Sequence, residues 1–339
     1  MDIELKKDIY EEIRGLLKSA RKNIVSTINS TMTKTYFLIG KRIVEEEQNG
    51  NERAIYGENL IKNLSKKLTN EFGKGFSERN IEQMRKFYKT YSISQTVSAE
   101  FKLSWSHYLI LMRMENIEER NFYEIESIQN NWSLRELKRQ IDSALYERLV
   151  LSKDKEKVKE LAFKGQVIEK PEDVVKDPYI LEFLGLEEQS NYSENKLETE
   201  IINNLEKFLL ELGKGFTFVG RQVRFTFDEK HFRVDLVFYN RILRCFVLID
   251  LKIGEVTHQD LGQMQMYVNY YDRYVKLPDE NKSIGIIICR EENDTLVKLT
   301  LPEDNNQIFA SKYMIVLPSK EEFKKVLDKD FENKENNDY

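Results

Sequence analysis

HFRVDLVFYNRILRCFVLIDLKIGEVTHQDLGQMQMYVNYYDRY, residues 231–274, decides how the rest of this 339-residue chain is read. Phe232–Tyr239 and Ile242–Leu251 are apolar runs rich in β-branched and aromatic residues, so they read as strands joined at Asn240-Arg241. A helix is expected to follow from Gln259 to Tyr274. Asp235 interrupts the first run, and Asp250 and Lys252 interrupt the second. Charges inside apolar strands are costly unless paired or metal-bound, which makes these three a candidate site.

Alternation puts Asp250 and Lys252 on one face of their strand. If the hairpin is centred on Asn240-Arg241, paired residue numbers add to 481 and Phe246 lies opposite Asp235. Asp235 then shares the face of Asp250 but sits four residues out of register with it, so a bulge, a splay or a bridging metal is required. Two converging carboxylates repel, and a hard divalent cation such as Mg²⁺ or Mn²⁺ relieves that repulsion and can activate water. Lys252 could orient that water or neutralise charge developing on a phosphoryl oxygen.

Outward from this centre, a helix capped by Ser193 and running over Leu197–Leu212 precedes a strand at Phe216–Phe227. On the other side come an unbroken apolar strand, Ile284–Cys289, a strand near Tyr313–Leu317 and a closing helix, Ser319–Asp330. The order αβββαβ places residues 193–330 in the α/β class, and residues 331–339 read as a disordered tail. Residues 1–150 read as helices, with Ser77 as an N-cap and Ser133–Glu136 as a capping box. Residues 151–192, carrying Pro171 and Pro178, read as a linker.

The net charge of −5 divides into +3 over residues 1–150 and −8 over the remainder. That balance is unlike a strongly basic nucleic-acid binder and leaves phosphate contacts mainly to the first part, with Arg85, Arg135, Lys138 and Arg139 as candidates. The absence of an 18-residue apolar run or signal-like segment points to a cytoplasmic protein without membrane association. His107, His231 and His258 lack zinc-ligand spacing, while Cys245 and Cys289 sit in apolar runs as small hydrophobes. Trp105 and Trp132 read as core anchors.

The αβββαβ order, with Asp in the second strand, Asp-x-Lys in the third and Gln in the next helix, resembles the PD-(D/E)XK nuclease superfamily. FLLELGKGFTFVGRQVRF, VDLVFYNRILRCFV, IDLKIG and GQMQMY resemble more closely the YhcG family of PDDEXK nuclease-domain proteins. YFLIGKRIVEEEQNGNERAIYGENLIKNLSKKL, EFGKGFSERNIEQMRKFY, LSWSHY and NWSLRELKRQI extend that resemblance across the first 150 residues. It implies a restriction-endonuclease-like core behind a helical domain that aids DNA binding. It also implies a Mg²⁺- or Mn²⁺-dependent endodeoxyribonuclease, with paired subunits common among such enzymes.

Carried over by residue, the resemblance makes Asp235, Asp250 and the Leu251 backbone carbonyl metal ligands and Lys252 the catalytic lysine. Asp250 stands where the closer family usually has Glu, and Val234 rather than Pro precedes Asp235. Glu198 fits the superfamily's helix glutamate by its spacing to Ile201, Ile202 and Leu205, and is preferred over Glu211. Gln263 and Tyr267 match a Gln-x-x-x-Tyr motif facing the site or the DNA backbone, and Arg221-Gln222 form a polar pair near it. Two rival readings stay open: a non-cutting nucleic-acid binder on the same fold, and a helical oligomerisation or adaptor protein.

Overall fold

The structure, a computed structural model, describes residues 9–49, 55–92, 101–151, 155–187, 192–227, 229–291 and 293–316. Most of the expected Tyr91–Ala99 loop, the closing helix Ser319–Asp330 and the tail 331–339 lie outside the described residues. Two compact units divide between Leu137 and Lys138.

The first unit is helical: α1 (Ile9–Asn49), α2 (Ile55–Phe72), α3 (Glu78–Tyr91), α4 (Trp105–Leu111), α5 (Ile117–Gln129) and the start of α6 (Leu134–Asp142). Ser77 caps α3 by accepting from Asn80 N, and Ser133 and Glu136 form the expected reciprocal cap on α6. Gly40 lies within α1, where it faces α3. A Cβ there would lie 2.0 Å from the Met84 carbonyl oxygen, so the glycine lets α1 and α3 approach closely. Phe87, Tyr91, Phe101 and Tyr108 build an aromatic core, with Trp105 against Phe87 at 5.3 Å and Trp132 buried.

The second unit continues with α7 (Leu145–Leu151), α8 (Lys155–Lys164), β1 (Tyr179–Ile180), α9 (Glu194–Asn203), α10 (Leu205–Leu212), β2 (Phe216–Phe227), β3 (Lys230–Asn240) and β4 (Cys245–Glu255). It closes with α11 (His258–Tyr270), β5 (Ile284–Glu291), α12 (Asp294–Thr300) and β6 (Ile308–Met314). Among the described residues, six strands form one mixed sheet in the order β1-β6-β5-β4-β3-β2. β2, β3 and β4 pair antiparallel, whereas β4, β5, β6 and β1 pair parallel. Helices α9 and α10 bury Leu197, Ile201, Phe208 and Leu212 on one sheet face, and α11 buries Leu261, Met264, Tyr267 and Val268 on the other. β5 is covered on both faces, which is why its sequence is an unbroken apolar run.

Several elements differ from expectation. The single helix over Leu197–Leu212 is two helices, broken at Asn204, whose side-chain amide donates to the Glu200 carbonyl at 3.1 Å. The expected linker is built into the sheet: Tyr179 and Ile180 pair with Tyr313 and Met314 as an edge strand. The second unit also starts before residue 150, because Arg139 and Arg148 are anchored to the buried Glu211 of α10. The helix expected to run on to residue 274 ends as a π-helical turn, Tyr271–Val275.

The register of the central hairpin differs most. Arg241–Arg244 make a four-residue turn, so pairing begins at Asn240↔Cys245 and runs through Phe238↔Val247 to Leu236↔Ile249. Paired numbers therefore add to 485 rather than 481, and the next position along places Asp235 opposite Asp250. The four-residue offset vanishes without any bulge between β3 and β4. Arg244 takes a left-handed φ of 51° to close the turn, a conformation that composition does not announce.

Candidate active site

The β3–β4 ladder stops at Leu236↔Ile249, one residue short of the two aspartates. There the Asp235 carboxylate takes over the role of a strand neighbour, accepting a hydrogen bond from Leu251 N at 2.9 Å. On the other side of β3, β2 pairs through Arg221↔Leu236 and Val223↔Val234. Gln222 between them adopts a left-handed φ of 48°, unfavourable for a residue with a side chain. Its amide donates to Asp235 Oδ1 at 2.9 Å and to Glu198 Oε2 of α9, so the strained residue joins the two carboxylates.

Asp250 is only 3% exposed. Burial and then the charge of Asp235 push its carboxyl up to about 7, with Lys252 opposing both. Lys252 Nζ lies 2.9 Å from Asp250 Oδ2 and 3.4 Å from Asp260 Oδ1. Burial disfavours its charge, yet the Asp250 carboxylate more than compensates and holds the ammonium protonated. Asp260 also caps α11 reciprocally with Thr257, accepting from Thr257 N at 2.9 Å. The Thr257-x-x-Asp260 spacing is the sequence signal for this further carboxylate.

Glu198 is buried, and burial followed by Asp235 raises its carboxyl, against the pull of Gln222 and Arg221. Its Oε1 lies 3.2 Å from Arg221 Nε but lacks hydrogen-bond geometry, leaving a buried oxygen without a hydrogen-bond donor among the described residues. Tyr267, on α11, accepts from Gln263 and donates to the Arg233 carbonyl at 2.8 Å. Burial and the nearby Asp250 push its hydroxyl up to about 12. Asp235, Asp250, Lys252, Glu198, Arg221, Gln222, Gln263 and Tyr267 are thus gathered at one end of the sheet.

Glu211 sits elsewhere. It is fully buried, pairs with Arg148 at 2.6 Å and Arg139 at 3.4 Å, and accepts from Ile180 N at 3.0 Å. Arg139 is also paired with Glu182 at 3.2 Å, and Arg85 with Glu47 at 2.7 Å, so both guanidiniums already serve internal ion pairs. Arg135 and Lys138 are exposed.

Among the described residues, no group of three or more His, Cys, Asp or Glu side chains converges to hold a metal ion. The donor set still suits a hard divalent cation: Asp235 faces Asp250, and Glu198 Oε1 is a buried acceptor without a donor. Such cations commonly bind one or two carboxylates and keep waters in their remaining positions.

Residues 172–328 match the YhcG PDDEXK nuclease domain, and residues 12–148 match the DUF1016 N-terminal domain. The protein YhcG of Escherichia coli (strain K12) is 41% identical over 340 residues, covering 91% of this chain and 90% of that relative. The chain belongs to the YhcG family of PDDEXK nuclease-domain proteins. Its αβββαβ core is the restriction-endonuclease-like core of that family, behind the family's helical first domain. Solved structures with likeness to it include a repair endonuclease from Pyrococcus abyssi, 18% identical over 37% of this chain and 49% of that one, with a TM-score of 0.25. The EndoMS-dsDNA2 complex is 16% identical over 40% of this chain and 51% of that one, with a TM-score of 0.27. The chain spans about half the length of each. Among the described residues of this YhcG-family chain, no helix is long and apolar enough to cross a membrane.

Proposed function

We propose that the second unit is a divalent-metal-dependent endonuclease that hydrolyses DNA phosphodiester bonds. The observation that carries this reading is the register placing Asp235 opposite Asp250 where the β3–β4 ladder stops, with Lys252 Nζ 2.9 Å from Asp250. Asp235, Asp250 and the Leu251 carbonyl would hold Mg²⁺ or Mn²⁺. Bound there, the cation supplies Lewis acidity toward a phosphoryl oxygen and lowers the pKa of attacking water.

The protein groups do the rest. Lys252, held protonated between Asp250 and Asp260, presents positive charge to the scissile phosphate and can give a proton to the leaving oxygen. Glu198, whose carboxyl is raised and whose Oε1 has only the Arg221 ion pair, accepts a proton from water or orients it. Gln222 fixes Glu198 relative to Asp235, and the Gln263–Tyr267 pair fixes the α11 side. Arg221, half exposed, lies beside Glu198 as a phosphate contact.

Exposed Arg135 and Lys138 are the remaining candidates for DNA backbone contacts, whereas Arg85 and Arg139 would first have to leave their ion pairs. A cytoplasmic location and a pair of subunits cutting two strands complete the proposal. Its test is cleavage of linear, circular and branched DNA in Mg²⁺ or Mn²⁺ by the full chain and by Asp250→Ala. Cutting by the parent and none by the variant, with an unchanged circular-dichroism spectrum, supports the assignment. Equal cutting by both removes Asp250 from the site. DNA binding without cutting, and without heat of Mg²⁺ or Mn²⁺ binding in calorimetry, replaces the nuclease reading with a binding one.

A further inference from the structure

A cleft of about 340 Å³ lies between the end of β2 and the outer face of α11, the helix that also carries Gln263 and Tyr267. Its α11 wall is one helical stripe, Gly262, Gln265, Met266, Asn269 and Tyr270, continued by Arg273 and Tyr274 through the π-helical turn. Phe225 and Phe227 of β2 form the facing wall. Volumes of this order are usual for small-ligand sites.

The rings are ordered relative to one another and to the site. Phe225 stacks on Tyr270 with centroids 4.1 Å apart and planes 19° from parallel, and meets Tyr267 edge-on at 5.6 Å. Tyr267 is the residue hydrogen-bonded to Gln263 and to the β3 carbonyl two positions before Asp235. Tyr274 packs against Tyr270 at 5.4 Å, yet remains 63% exposed, and Phe227 is 56% exposed. Large flat rings left this open are costly in water unless something covers them. The polar groups interleaved with them, the amides of Gln265 and Asn269 and the Arg273 guanidinium, have no hydrogen-bond or ion-pair partner among the described residues.

Flat apolar faces, free amide donors and acceptors, and one unpaired cation match the parts of an unstacked nucleotide: a π-face, a hydrogen-bonding edge and a phosphate. A protein partner would use the rings but has no particular need for planar surfaces beside paired donor and acceptor amides. The position adds to this, because the stripe runs along the helix whose Gln263 and Tyr267 border the carboxylates, so a strand lying over the site would carry a neighbouring base to the cleft. A base inside a duplex cannot reach such a slot without leaving its stack.

We propose that this cleft receives an unpaired nucleobase of the substrate strand, which makes DNA with unpaired nucleotides beside the scissile bond the preferred substrate class. The proposal rests on the nuclease reading for the identity of the strand. Phe227 and Tyr274 supply the stacking faces, Arg273 holds the adjoining phosphate, and Gln265 and Asn269 meet the base edge.

The test uses the full chain carrying Asp250→Asn, so that DNA is not consumed, and a single-stranded oligonucleotide containing 2-aminopurine. The fluorescence of 2-aminopurine falls when the base stacks. Binding is expected to quench it, and adding Tyr274→Ala with Phe227→Ala should abolish the quench and weaken binding about five- to 150-fold, the range for loss of base stacking. Tyr274→Phe, which keeps the ring, should restore both. Both alanine positions are exposed, and an unchanged thermal midpoint checks that the fold survives. Quenching and affinity that persist in the double-alanine variant overturn the proposal, as does a parent that binds the oligonucleotide without quenching. Cleavage by the wild type in Mg²⁺ without any quench refutes the slot alone. A quench in a protein whose wild type never cuts supports the slot and refutes the nuclease reading alone.

Discussion

Replacing Glu211 with Gln separates the two candidate helix glutamates by what each loses. Burial alone would raise the Glu211 carboxyl, but Arg148, Lys176 and Arg139 together outweigh it and draw the group from an ordinary 4.5 down to about 2. At about 1.36 kcal/mol per pKa unit, that gap corresponds to about 3 kcal/mol of folding stability. Because the folded carboxyl is the more acidic, this contribution is complete above pH 4.5 and is lost as pH falls from there toward 2. Glu211→Gln leaves Arg148 and Lys176 buried with a neutral partner, a loss of about 3–5 kcal/mol at pH 7. For a unit of this size the thermal midpoint should fall by roughly 6–20 °C. Urea unfolding of parent and variant at pH 7, 5, 4 and 3 measures it, with the stability difference largest at pH 7 and narrowing below 4.5. Cleavage well below the transition temperature should be retained, whereas Glu198→Gln should lose cleavage with little change in midpoint. A difference near zero at pH 7, or one that stays constant down to pH 3, would refute the account of Glu211 as a buried anchor.

Two further substitutions probe the geometry. Gln222→Gly relieves the left-handed backbone and removes the amide bridge between Glu198 and Asp235; cleavage should drop about 10- to 100-fold while the thermal midpoint holds or rises. Undiminished cleavage would show that the bridge is dispensable. Gly40→Ala drives a Cβ into the Met84 carbonyl and should destabilise the helical unit by about 1–3 kcal/mol, read as an earlier loss of helical circular dichroism on heating. An unaltered melting curve would mean that α1 and α3 can separate at no cost.

Local pattern carried much of this fold. β2 falls on its expected residues, and the Ser77, Ser133 and Ser193 caps form, because alternation, β-branched runs and capping side chains act within a few residues of themselves. The features that could not be read depend on partners far away in sequence. Tyr179 and Ile180 become a strand only because β6 offers an edge 134 residues later. Arg139 is indistinguishable in sequence from a solvated basic residue until Glu182 and Glu211 are placed beside it. Glu198 and Glu211 look alike on the helix, and only the break at Asn204 and the buried Arg148 assign them to different surroundings.

The four residues Arg241–Arg244 close the hairpin whose register sets the site. Surface hairpin loops usually tolerate insertions and deletions, since nothing packed depends on them. Here the pairing count matters: a slip of β4 by one residue against β3 would turn its side chains to the opposite face, and a slip of two would slide Asp250 along the strand away from Asp235. Asn240 guards the count: its Oδ1 accepts from Ile242 N at 3.0 Å and Leu243 N at 3.1 Å, while its amide holds the Lys214 carbonyl at 3.0 Å. Extra residues confined to the turn leave this register intact, whereas a change in which residue pairs with Asn240 parts the aspartates, so the closing pair Asn240↔Cys245 is the sequence marker of an intact carboxylate pair.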